Sequence, residues 1–83
     1  MTRKEVLEKA LSIVEGTRDD DGREDSFGMI ADLWGLYLDT PLNETDVCMM
    51  MALLKIARVK CRHNVADSLI DIAGYAACAA GKE

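Results

Sequence analysis

An all-α fold, a four-helix bundle-like single domain spanning residues 1–83 and completed by homo-oligomerisation, is predicted by three features of this sequence. Apolar residues recur at spacings of three and four along the chain. Polar stretches with helix start and stop signals divide them into four segments. One of those segments is apolar almost all the way round. The first helix, about residues 3–15, opens on the capping pair Thr2 and Glu5 and carries Val6, Leu7, Ala10, Leu11, Ile13 and Val14, with Gly16 as the expected C-cap. The second, about 24–38, places Phe27, Ile30, Ala31, Trp34, Tyr37 and Leu38 at helical spacing, with Trp34 expected at the centre of the core and Pro41 as the stop. Asn43 and Asp46 open the third, about 44–62, and Asn64 and Asp67 repeat the pattern for the fourth, about 65–80. The fourth buries Leu69, Ile72, Ala73, Ala76 and Ala80. Its small residues Gly74, Ala77, Cys78 and Gly81 let a neighbouring helix, in the same chain or another, come close.

An 83-residue chain buries a smaller fraction of its surface than a larger domain, so its core needs a supplement: disulfides, a structural metal or a partner. Cys48, Cys61 and Cys78 are odd in number, widely spaced and set in apolar helical contexts, and they read as core thiols. Zinc-type Cys spacing is absent, and the single histidine, His63, lies in an expected turn. Self-association is left. The third helix says the same, because CMMMALLKIA must touch neighbours on every side and three other helices can hardly cover it. A net charge of -5 argues against binding to nucleic-acid backbones. The charged N-terminus and the lack of an apolar run near the ~20 residues a bilayer requires predict a cytoplasmic protein with no membrane association.

Chemistry is sought first among the acids. Asp19, Asp20, Asp21 and Gly22 resemble a calcium loop only superficially: with Gly22 at the sixth position, the obligatory acid at the twelfth falls on Gly28, so a solvated acidic loop is expected. Asp67 and Asp71 lie one turn apart on one face of the fourth helix and form a candidate Mg²⁺ pair, with Glu24, Asp25 or Asp32 as a further acid. Lys55 and Arg58, in a basic row with Arg62, are candidate phosphate contacts. The same residues have a purely structural alternative. In an antiparallel hairpin of helices three and four, positions summing to roughly 126 face each other, so Lys55 meets Asp71 and Arg58 meets Asp67 or Ser68 as plain ion pairs. Tyr75, four residues beyond Asp71, is the candidate for stacking on a base, though aromatics at helical spacing are usually core. Ser12, Ser26 and Ser68 sit in no nucleophile elbow, and no Gly-rich phosphate loop is present.

The blocks EDSFGMIADLWGLYL, DVCMMMALLKIARVK and DSLIDIAGYAACAA resemble a family of short all-helical proteins encoded by phages and prophages, the likeness running from about Gly16 to Ala80. Relatives commonly carry a Tyr-Gly pair and a proline where this chain has Asp21, Gly22, Arg23 and Glu24. More distantly, the chain resembles the MazG-like nucleoside triphosphate pyrophosphatases, which hold Mg²⁺ through ExxE and ExxD motifs on successive helices. Here Glu5 and Glu8 spell ExxE on the first helix, and Asp67 to Asp71 is DxxxD. That likeness implies a nucleotide ligand and Mg²⁺ as cofactor, with pyrophosphohydrolysis by metal-activated water as the expected reaction. Two other roles stay open. One is a non-enzymatic acidic protein that inhibits a host or defence factor, with Asp19, Asp20, Asp21, Glu24 and Asp25 spread over an exposed face. The other is a sponge that binds a nucleotide without cleaving it.

Overall fold

The computed structural model describes residues 1–17 and 26–82, and within them the chain is helical with no strand. Four α-helices run Arg3–Ser12 (α1), Ser26–Leu38 (α2), Glu44–Lys60 (α3) and Val65–Lys82 (α4). The all-α, four-helix expectation is met.

Helix starts follow local chemistry. The Thr2 hydroxyl accepts from Glu5 N–H at 3.1 Å while Thr2 N–H donates to Glu5 Oε1 at 2.7 Å, the reciprocal pair that satisfies two orphan donors of α1. Hydrogen bonding to the Glu5 carboxyl from Thr2 N–H, and then from the Thr2 hydroxyl, favours its ionised form and holds its pKa below the ordinary value. Asn43 and Asp46 do the same for α3, at 2.8 and 2.9 Å. Asn43→Ala should therefore cost about 1 kcal/mol, read as a lower midpoint in urea unfolding.

The expected box at Asn64 and Asp67 does not form. Asn64 adopts φ 50°, outside the extended conformation a capping residue needs, although its backbone carbonyl still accepts the first bond of α4 from Ser68 N–H at 2.9 Å. The chain arrives there straight from the end of α3, where Arg62 N–H donates to Val59 O and His63 N–H to Arg58 O. This six-to-one closure requires a left-handed residue, and Arg62 takes it at φ 60°. Arg62→Gly removes the Cβ penalty of that conformation and should raise stability by about 1 kcal/mol in thermal melting.

Gly16 is not the C-cap of α1. The helix widens after Ser12 into a π-helical turn, Ile13–Thr17, that contains Gly16 and packs on α4. The second helix is described only from Ser26, and α3 ends at Lys60, two residues before the expected end.

Packing is centred on the α3–α4 hairpin. α1 lies against α4 and α2 against α3. Val47 and Cys48 on α3 are fully buried, joined by Ile70, Ala10, Ala31 and Ala79. Trp34 is half-buried, not the centre of the core, because α2 packs chiefly on one neighbour. Cys61 caps the end of α3 and is exposed, against its reading as a core thiol, whereas Cys48 is buried and Cys78 half-buried; none is in a disulfide. Among the described residues, no helix is long and apolar enough to cross a membrane.

Candidate functional site

The hairpin geometry brings one predicted pair together and leaves the other apart. α3 and α4 run antiparallel about the turn at residues 61–64, so Lys55 and Asp71 meet across the interface. Lys55 Nζ lies 3.0 Å from Asp71 Oδ2, with the two side chains 19% and 31% exposed. Arg58 makes no ion pair with Asp67, and both are exposed. One turn nearer the hairpin end, the opposite position is taken by Ser68, which is buried and whose hydroxyl reaches His63 O at 3.5 Å.

Asp67 and Asp71 share a wall of an open groove of about 480 Å³ between α1 and α4. Lys9, Ser12 and Ile13 line the opposite side, and Ile70 contributes beside the two acids. Its volume falls within the range of small-molecule sites. The groove exists because α1 ends against α4 and then widens: the π turn beginning at Ile13 forms part of the wall, and such turns are frequent at functional sites. It is an amphipathic site, with two carboxylates and one ammonium around an isoleucine floor.

Neither Lys55 nor Arg58 lines this groove, although Lys55 reaches it through Asp71. Lys9 does line it, and sequence reading passed it over. Its signal was faint: Lys9 stands in an alternating-charge helix whose folding onto α4, and not onto α2, had no local marker. Tyr75 is also outside the groove. Its ring stands 6.4 Å from that of Phe27, tilted by 56°, a ring contact that joins α2 to α4.

Among the described residues, no three His, Cys, Asp or Glu side chains gather as a metal-binding cluster. Asp32 is exposed on α2 and does not join Asp67 and Asp71, while Glu24 and Asp25 lie outside the described residues, as do Asp19, Asp20, Asp21, Gly22 and Arg23. The donor set in the groove is therefore two carboxylates, one of them held by a lysine. That suits Mg²⁺ shared with the phosphates of a ligand, since this ion takes one or two protein carboxylates and keeps water and phosphate for its remaining positions.

Residues 5–82 match the family model described as a domain of unknown function, DUF6378. The Gene 55 protein of Mycobacterium phage D29 is 39% identical over 75 residues, covering 88% of this chain and 50% of that protein. The Gene 55 protein of Mycobacterium phage L5 is 39% identical over 74 residues, covering 86% of this chain and 47% of that one. The chain thus spans about half the length of the curated relatives it matches. No solved structure matches it. The family match covers nearly the whole chain, and two mycobacteriophage proteins are similar to it at this identity: the chain belongs to the DUF6378 family.

Proposed function

We propose that this chain binds a nucleoside phosphate together with Mg²⁺ in the groove between α1 and α4, as a phage accessory protein acting on the nucleotide pool. The observation that carries this is the facing of Lys9 with Asp67 and Asp71 across a groove of ligand size. Asp67 and Asp71 would hold the ion, which neutralises phosphate charge and, in a hydrolase, acidifies a bound water. Lys9 would contact the phosphates from α1, with Ser12 lining the same wall one turn further along that helix. Lys55 fixes the position of the Asp71 carboxylate and adds a positive charge behind it.

A MazG-like pyrophosphohydrolase is the catalytic form of this proposal. The nucleotide sponge is its binding form, with the same groove and ion and no turnover. The site is on the described residues only, and the acidic inhibitor reading rests on acids that lie outside them.

Thermal melting against a panel of nucleoside mono-, di- and triphosphates, with and without Mg²⁺, tests it. A ligand of the folded state at a hundredfold excess over its Kd adds about 2.7 kcal/mol, which is many degrees in midpoint for a domain this small. The expected result is a magnesium-dependent shift that Asp67→Ala and Lys9→Ala both abolish. Pyrophosphate release by the same preparation separates hydrolase from sponge. No shift with any nucleotide, or a shift untouched by both substitutions, rejects the site.

A further inference from the structure

The buried apolar residues of the described chain are six, and three of them are alanines. Outside lie Leu36, 79% exposed, Tyr37, 89%, and Leu53, 63%, with other large side chains at comparable values. They are not scattered. On α2, Met29, Leu33 and Leu36 follow i, i+4, i+7 spacing, with Tyr37 beside them, on the side away from the buried Ala31. On α3, Met49, Leu53 and Ile56 follow the same spacing, away from the buried Val47 and Cys48. Each helix therefore has two apolar sides, and the chain's own packing uses one.

The areas set the scale of what is uncovered. A compact monomer of 9.1 kDa exposes roughly 4,900 Å², whereas this chain exposes 6038 Å². The radius of gyration, 13.4 Å, likewise exceeds the roughly 12 Å of a compact domain of this length. The excess is on the order of the ~800 Å² that each partner contributes to a standard stable interface. The seven side chains named above account for about that much exposed surface.

Charge decides which occupant fits. Two chains of net charge -5 repel one another, so self-association needs a face without acids opposed. α2 carries one charged residue, Asp32, in thirteen, and Val47–Leu54 of α3 carries none. α1 also has an exposed stripe, Leu7, Leu11 and Val14, but Lys4, Glu5, Glu8 and Lys9 crowd it.

We infer that the outer faces of α2 and α3 are covered by a second copy of this chain, in a symmetric dimer that brings the same faces of both copies together. An isologous pair presents identical stripes to each other in which Asp32 is the one acid of α2, so the exposed apolar side chains of α2 and α3 find apolar partners and few charges are opposed. The dimer leaves the α1–α4 groove outside the interface, and its test is independent of any ligand there.

Size-exclusion chromatography with light scattering on the full chain, at concentrations from about 1 to 100 µM, is the experiment. The expected mass is twice 9.1 kDa. Leu36→Glu and Leu53→Glu should each weaken association at least tenfold while helical circular dichroism is kept. Leu7→Glu, on the α1 stripe, should leave the mass unchanged. Leu36 makes few contacts within its own chain, so its variant decides the matter if Leu53→Glu fails to fold. A one-chain mass at 100 µM overturns the inference and assigns these faces to a different protein. An assembly that survives both glutamates, or one abolished by Leu7→Glu alone, overturns it as well.

Discussion

Gly35→Ala should destabilise the fold by about 1–3 kcal/mol, the range for forcing an extra methyl into a filled space. Alanine is by itself the better helix former by about 1 kcal/mol, so the sign depends on what the new methyl meets. At Gly35 it meets backbone: a Cβ there would stand 2.8 Å from Thr40 O and 3.5 Å from Leu42 N. The chain folds back over this position because Thr40 N–H donates to Gly35 O at 3.0 Å and Asp39 N–H to Leu36 O, with Asp39 left-handed at φ 56°. This closure turns the chain toward Pro41 and α3, and it cannot open by a few tenths of an ångström without losing its bonds. The same substitution should have the opposite effect elsewhere. A Cβ on Gly74 makes an ordinary contact with Val14 at 3.9 Å, and one on Gly81 meets nothing, so both alanines should stabilise by up to about 1 kcal/mol. Thermal melting of the three variants side by side tests it, and a Gly35→Ala protein as stable as the other two would show that the α2 turn is not rigid.

Helix positions were legible because their signals are local. Capping pairs at Thr2–Glu5 and Asn43–Asp46 act over three residues, and Pro41 acts over one turn. The misreadings share a different cause. Asn64 looked like a cap, but the closure after α3 had already set the backbone at Arg62 and Asn64 to positive φ before any side chain was consulted. Gly16 looked like a stop, but the helix widened through it, and whether a helix widens is decided by what packs on it, here α4. Lys55 and Asp71 could be paired from sequence because a tight antiparallel hairpin makes register arithmetic reliable over a few turns. The groove could not be foreseen in the same way. It needs α1 to cross α4 at a distance of more than fifty residues in sequence, and no short-range pattern states which helix α1 chooses. The apolar surround of α3 was visible, and it pointed rightly to neighbours on more than one side. It also implied that three other helices could hardly cover this one, and the outer side, at Met49, Leu53 and Ile56, is exposed in the single chain.

Lys55→Met should separate the structural duty of Asp71 from the proposed ligand duty, with effects of opposite sign. The pair is partly sheltered, at 19% and 31% exposure, so its worth lies above that of an open surface bridge, whose median is about 0–1 kcal/mol, and below that of a buried one. Losing the lysine leaves a half-covered carboxylate without its cation, and stability should fall by about 1–2 kcal/mol. Asp71→Leu should cost less, because the Lys55 stem can lie along the helix and carry its ammonium into water. The double variant Lys55→Met/Asp71→Leu should recover part of the loss, giving a coupling near 1 kcal/mol in a double-mutant cycle. Magnesium then divides the two duties. With Lys55 gone, both lone-pair faces of the Asp71 carboxylate are open beside Asp67 in the groove, so Mg²⁺ alone should stabilise Lys55→Met more than the wild type and restore part of what the substitution removed. The double variant, which lacks the carboxylate, should show no such response. If Mg²⁺ raises the midpoint of Lys55→Met no further than that of the double variant, Asp71 serves only to fasten α4 to α3, and the groove beside it holds no metal.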